Sequence, residues 1–141
     1  MDSTEYSFEM NMEKKRLETF KDWPFNHMDC KCTAEKMAAA GFYHCETDDD
    51  PDVARCFVCF KELDGWEPED DPWQEHKKHS PKCEFVKLNK SSNEITVQQF
   101  LELEANRQAN RMRKYVDANL KDFEHMRDQA REEMMKLVPE P

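Results

Sequence analysis

Four side chains limit what this chain can fold into more than any other feature: Cys56, Cys59, His76 and Cys83. Two residues separate the first pair, sixteen separate Cys59 from His76, and six separate His76 from Cys83. A C-x-x-C turn lets two thiolates grip one ion, and a distant His and Cys can close a tetrahedron. Thiolates and an imidazole favour zinc over the oxygen-seeking ions. Four protein ligands leave no open position for water, so the expected cofactor is one structural zinc, not a catalytic one. In so small a domain the metal supplies much of the folding free energy, on the order of 10 kcal/mol in zinc-finger peptides. The competing reading is a redox C-x-x-C with an unrelated histidine. His44 and Cys45 are conceivable substitutes but lack a second pair.

Cys30, Cys32 and Cys45 are read as buried or free thiols. No basic start followed by an apolar core marks a secretory signal, so the chain is expected to stay inside the cell. Thiols stay reduced there, which makes a disulfide framework the weaker reading. With 141 residues there is room for one domain with a modest core. Its only glycines, Gly41 and Gly65, leave no phosphate-cradling G-x-G-x-x-G or G-x-x-x-x-G-K loop. No apolar run approaches the ~18 residues of a membrane span, so no direct membrane partner is expected. A net charge of −10 makes the chain a poor general binder of nucleic acid, and no sequence-specific contact to it is expected.

A composition shift divides the chain. Every cysteine and tryptophan, and every histidine except His125, lies before residue 90, and residues 94–138 hold no Pro, Gly or Cys. Residues 1–94 carry 13 basic and 22 acidic side chains, and residues 95–141 carry 8 and 9, so the acidity belongs to the first part.

The second part reads as one long helix. Ala109, Val116, Phe123, Ala130 and Leu137 recur every seven residues, with Ala105, Met112 and Met126 as companions and Leu120 and Met134 widening the stripe. Asn119 and Glu133 interrupt the second seam. About 40 residues make a rod of roughly 60 Å, too long for its whole stripe to fold back on a domain of ~90 residues. A bundle with other helices is the favoured reading, with the imperfect seam leaving room for unlike partners. Met112, Val116, Leu120, Phe123, Met126 and Ala130 are the expected partner-helix contacts.

In the first part, residues 33–41 predict a short helix. Thr33 is expected to cap its first amides, Glu35 suits its positive end and Gly41 its left-handed stop. Residues 42–44 and 54–60 predict strands, and Asp64-Gly65 a tight turn before Trp66. Residues 73–79 predict a helix begun by Asp71-Pro72. A small sheet flanked by short helices follows.

The Cys/His spacing, with Gly41-Phe42-Tyr43 upstream, Gly65-Trp66 between, and Asp70-Asp71-Pro72-Trp73-x-x-His76, resembles the baculoviral inhibitor-of-apoptosis repeat (BIR). Arg16 and Trp23-Pro24 fit the same pattern. The run 60–68, His76-Lys-Lys-His79 and the long C-terminal helix are similar to the single-repeat, chromosomal-passenger branch of that family. The resemblance implies an α+β fold: a small zinc-binding BIR domain with a three-stranded antiparallel sheet and short helices, followed by one long C-terminal α-helix. It implies an N-terminal segment at 1–14, the BIR domain at 15–88, a linker and dimer-contact segment at 89–101, and the helix at 102–138.

It also implies a non-enzymatic subunit of the chromosomal passenger complex. Its repeat would read the N-terminal tail of histone three when the threonine of Ala-Arg-Thr is phosphorylated. Its helix would bundle with borealin and the inner centromere protein, and through the complex it would join an Aurora kinase. The expected role is chromosome segregation and cytokinesis. The expected sites are nucleus and cytoplasm, with centromere or kinetochore in early mitosis and spindle midzone and midbody later.

The residues support a cationic ligand. Residues 46–71 hold eleven acidic side chains and only Arg55 and Lys61 as basic ones, a field that attracts an ammonium group and a basic tail. By the family pattern Asp64 and Asp70 take the free amine, with Glu75 near it. Leu63 and Trp66 form the pocket for a methyl side chain, and Glu62 belongs to the same run. Lys61 and His79 face the phosphate, Lys61 as a point charge and His79 as a donor that can protonate. Repeats that bind apoptotic antagonist peptides carry an aromatic residue where this chain has His79, which favours the phosphate reading. The branch carries a glutamate where this chain has Asp64, and a Thr-Pro where it has Thr33-Ala34.

Ile95, Val97, Phe100 and Leu101 are too apolar for an exposed linker. With Phe8 they are expected to form the two-fold contact of a homodimer when the protein is free of partners. The alternative function is inhibition of apoptosis, by action on caspases or by binding antagonist peptides that begin with alanine. Against it stand the absence of a second repeat and of a RING-type Cys/His set.

Overall fold

The computed structural model describes residues 7–45 and 49–140. Glu46 and Asp48, two of the acidic residues counted above, lie outside the described residues. A short 3₁₀ turn (Phe8–Asn11) leads into α1 (Glu13–Glu18), α2 (Ala34–Ala39), β1 (Phe42–His44), β2 (Ala54–Cys56) and β3 (Glu62–Leu63). Then come α3 (Pro72–His79), α4 (Glu84–Leu88), a second 3₁₀ turn (Ser92–Glu94) and α5 (Val97–Lys136). The three strands form one antiparallel sheet in the order β1-β2-β3. The fold is therefore the expected α+β arrangement with a long C-terminal helix.

Phe42 pairs with Cys56, Tyr43 with Arg55 and His44 with Ala54, while Arg55 pairs with Glu62 on the other side. The core behind this sheet is aromatic. Trp23, Phe42 and Trp66 meet edge to face, and Trp73 stacks on Phe85 at 5.3 Å between centroids. Arg16 is wholly buried at its centre. Its guanidinium donates to the carbonyls of Ala38, Met10 and Asn11 and lies over the Phe57 ring at 4.3 Å. Five fixed donors and a flat, weakly hydrated face let Arg occupy a site that Lys could not.

Three local expectations are corrected. The second strand ends at Cys56 instead of running to residue 60. Phe60 adopts a left-handed conformation (φ 59°), its amide donates to the Cys56 carbonyl and the Val58 amide faces Cys56 Sγ. An extended strand would point Cys56 and Cys59 to opposite faces, whereas this turn brings both sulfurs to one side.

Thr33 stands at the N-cap of α2, but its side chain makes no capping bond. Asn26 Oδ1 accepts from the Ala34 amide at 3.0 Å instead, so a loop residue supplies the oxygen that a local cap would have given.

The long helix begins at Val97, not at 102. Thr96 Oγ1 accepts from the Gln99 amide, and Gln99 Oε1 accepts from the Thr96 amide. This reciprocal capping box starts the helix inside the segment expected to be linker.

The chain divides into two units, one reaching to Asn110 and the other starting at Arg111. In the first, Leu103 and Arg107 of α5 are buried. Glu104 joins Arg107 to Asn11, and Asn110 Nδ2 donates to the Val58 carbonyl at 2.9 Å. In the second, every described residue from 111 to 140 is exposed. No helix among the described residues is long and apolar enough to cross a membrane.

Candidate metal centre and peptide cleft

The four residues singled out by spacing converge. Sγ of Cys56, Cys59 and Cys83 and a ring nitrogen of His76 all lie within 4.8 Å of one another. Cys56 and Cys59 come from the end of β2 and the turn after it, His76 from α3, and Cys83 from the N-cap of α4. His76 Nδ1 lies 2.8 Å from the Ala40 carbonyl and Nε2 3.7 Å from Cys59 Sγ. With Nδ1 committed to donating to a carbonyl, Nε2 is the ring nitrogen aimed at the sulfurs, which is how ligating histidines are usually oriented.

The proton chemistry fits a metal. Burial, then the neighbouring Cys59 and Cys83, push the Cys56 thiol up. Hydrogen bonds from Cys56 and Cys83 hold the Cys59 thiol far below its usual range. Burial alone would lower His76, but Cys59 and Cys83 outweigh it and raise the ring to about 9. Three sulfurs crowded with one imidazole cannot all shed protons without a cation among them. These four residues could hold a metal ion, and three soft sulfurs with one nitrogen suit zinc. A zinc held by all four would tie the β2 turn, α3 and α4 together. Cys30, Cys32 and Cys45 do not join the group, and no disulfide forms among the described residues.

Beside the metal centre lies a cleft of ≈ 390 Å³. Lys61, Glu62, Leu63, Asp64, Trp66, Asp70, Glu75 and His79, expected as a set, all line it, together with Gly65 and Lys78. Asp71 caps α3 by accepting from the Trp73 and Gln74 amides, which aims Glu75, Lys78 and His79 along one side of that helix. Gly65 carries φ +66°, and a β-carbon added there would meet nothing within 4 Å, so the turn keeps the cleft's rim open. Trp66 is a core residue as much as a wall. Its amide donates to Asp52 Oδ2 and its indole to the Leu63 carbonyl. Asp70 Oδ2 accepts from the Glu67 amide, and Glu62 is engaged by Arg55 on the adjacent strand.

A family model described as the Inhibitor of Apoptosis domain (BIR) matches residues 16–87. The chain is 47% identical over 131 residues to Baculoviral IAP repeat-containing protein 5 of Rattus norvegicus, covering 93% of this chain and 92% of the relative. It is 45% identical over 131 residues to the Mus musculus protein, covering 93% of each. It is 48% identical over 122 residues to Baculoviral IAP repeat-containing protein 5.2-B of Xenopus laevis, covering 86% of this chain and 77% of that one.

The chain belongs to the inhibitor-of-apoptosis repeat family.

It is a survivin-type member, alike over most of its length. The BIR match contains all four metal-binding candidates and every residue named in the cleft. Of the residues expected at a dimer contact, Phe8, Val97 and Leu101 are exposed, and Ile95 and Phe100 are half-buried. Phe8 meets Phe100 edge to face at 6.4 Å, and Ile95, Val97 and Phe100 line a hollow with Phe57 and Leu103. Outside the BIR match, Met112, Val116, Leu120, Phe123, Met126 and Ala130 are exposed along the helix. Two contributors were not singled out by sequence reasoning. Lys78 could have been found from its place one turn after Glu75. The Ala40 carbonyl, a backbone atom, carries no sequence signal.

Proposed function

We propose that this survivin-type protein is a non-enzymatic subunit of a chromosomal passenger complex, whose cleft reads the phosphorylated N-terminal tail of histone three. The observation that carries the reading is the presence of both acidic and basic side chains in one cleft, beside an apolar wall. Asp64, Asp70 and Glu75 lie with Leu63 and Trp66, and Lys61, Lys78 and His79 lie with them. A peptide that begins with a free ammonium and a methyl side chain, and bears a phosphate two residues on, carries charges of both signs that these groups can meet. The exposed helix suits borealin and inner centromere protein as bundle partners, with an Aurora kinase joined through the complex. The exposed Phe8, Val97 and Leu101 suit a homodimer in their absence. The corresponding sites of action are the centromere or kinetochore early in mitosis and the midzone and midbody later.

Titration with an N-terminal Ala-Arg-phosphoThr peptide, its unphosphorylated form and its N-acetylated form tests the reading. Tightest binding to the phosphopeptide, with loss on acetylation, is the expected result. Equal affinity for all three would overturn it. Equal affinity for the two free-amine forms alone would favour recognition of alanine-starting antagonist peptides, the function suggested by the family's name.

A further inference from the structure

One acidic side chain of the cleft reaches two of its basic residues. Glu75 Oε2 lies 3.3 Å from His79 Nε2 and 3.9 Å from Lys78 Nζ. The i,i+4 and i,i+3 spacing on α3 places both side chains one turn after the carboxylate. Two of the other acids are held by neighbours outside the cleft's basic groups. Asp70 is bound to the Glu67 amide, and Glu62 to Arg55. Glu75 is held, among the described residues, through surface pairs to exposed side chains of its own helix, an attachment weak enough to exchange.

We propose that Glu75 is a specificity-determining residue that couples the two ends of the ligand. It holds His79 and Lys78 until a peptide ammonium draws it away, and this releases both side chains to the phosphate. The inference rests on the phosphopeptide reading above and deepens it. Without an ammonium, the carboxylate stays beside His79 and repels the phosphate. Without a phosphate, turning Glu75 toward the amine leaves Lys78 and His79 without their carboxylate. Each modification of the peptide therefore gains from the other, and a ligand with both features is selected over ligands with either one.

The experiment uses the full chain and four peptides beginning Ala-Arg-Thr: amine free or acetylated, threonine phosphorylated or not. In the wild type, phosphorylation should improve affinity about two- to fivefold more with the free amine than with the acetylated one, the size of a surface ion pair. In Glu75→Gln the two improvements should be equal. A second readout follows the His79 ring by NMR. Saturation with the unphosphorylated free-amine peptide should move its resonances toward their positions in Glu75→Gln. Equal improvements in the wild type, or a His79 ring unmoved by that peptide, would overturn the coupling and leave phosphate reading intact. Binding indifferent to phosphate in both amine forms would overturn both.

Discussion

His76 and Ala40, 36 residues apart, meet where the imidazole Nδ1 lies 2.8 Å from the backbone carbonyl. Ala40 closes α2, and His76 is a ligand candidate on α3. The metal group is thus built into the frame of the domain, with its histidine tautomer set by a helix terminus. Metal analysis should give one zinc per chain. Full chelation should unfold residues up to about 110, since structural zinc supplies on the order of 10 kcal/mol in small domains. Circular dichroism that stays native after chelation would contradict this.

The two glycines should differ in what they tolerate. Gly41 has φ +95°, and a β-carbon there would lie 2.8 Å from Phe85 Cδ1, a ring fixed in the core. Gly41→Ala should cost about 2–4 kcal/mol, strain and overpacking together. Gly65 also has positive φ, but nothing lies within 4 Å of the added carbon. Gly65→Ala should cost only about 1 kcal/mol. Thermal denaturation of the two variants would compare them directly.

Arg16→Ala should cost about 3 kcal/mol or more, because it strips donors from buried carbonyls and empties space beside Phe57. Arg16→Lys should recover only part of this, since one ammonium cannot reproduce the spread of a guanidinium fork. Denaturant titration with zinc held constant would measure both. A lysine variant of full stability would show that charge alone suffices.

Glu104 supplies an acid-sensitive contact. Burial alone would raise its pKa, but hydrogen bonds from Arg107, Gln108 and Asn11 outweigh that and bring it from 4.5 to about 2. A carboxylate whose folded value is depressed contributes fully above its unfolded value. That contribution fades as pH falls from about 4.5 toward 2. Glu104→Gln should lower stability by about 1 kcal/mol near neutrality and remove this part of the acid sensitivity, with little difference left near pH 2. An identical pH profile for variant and wild type would refute the assignment.

Phe123→Glu should leave the melting of the BIR domain unchanged, because Phe123 is 64% exposed and lies in the unit that starts at Arg111. The same change should abolish co-purification with borealin and inner centromere protein helices if the apolar stripe is their contact. Unchanged assembly would place the contact elsewhere on the helix.

Much of the site could be read from the chain. The spacing of Cys56, Cys59, His76 and Cys83 was sufficient because metal coordination tolerates few residue types and needs all four at one point. The helix signals at Gly41 and at Asp71-Pro72 were equally plain, since both act through immediately neighbouring residues. The start of α5 was legible too, in Thr96-x-x-Gln99, but the apolar Val97, Phe100 and Leu101 drew attention to an interface instead. Other features gave no local sign. Nothing in the residue type announces that Arg16 is buried or that Asn26 caps a helix eight residues on.

By itself the sequence determined the donor set for a metal, the acidic character of the first part, and a helix whose apolar stripe runs past residue 110. Those properties depend on residue chemistry and on neighbours within a few positions. Tertiary structure decided what meets what. It ended β2 early so that two sulfurs face one way, packed the first turns of α5 on the domain, and set Lys61 in one cleft with Glu75, Lys78 and His79. Contacts between distant segments arise only when the shared core closes, so no window along the chain contains them.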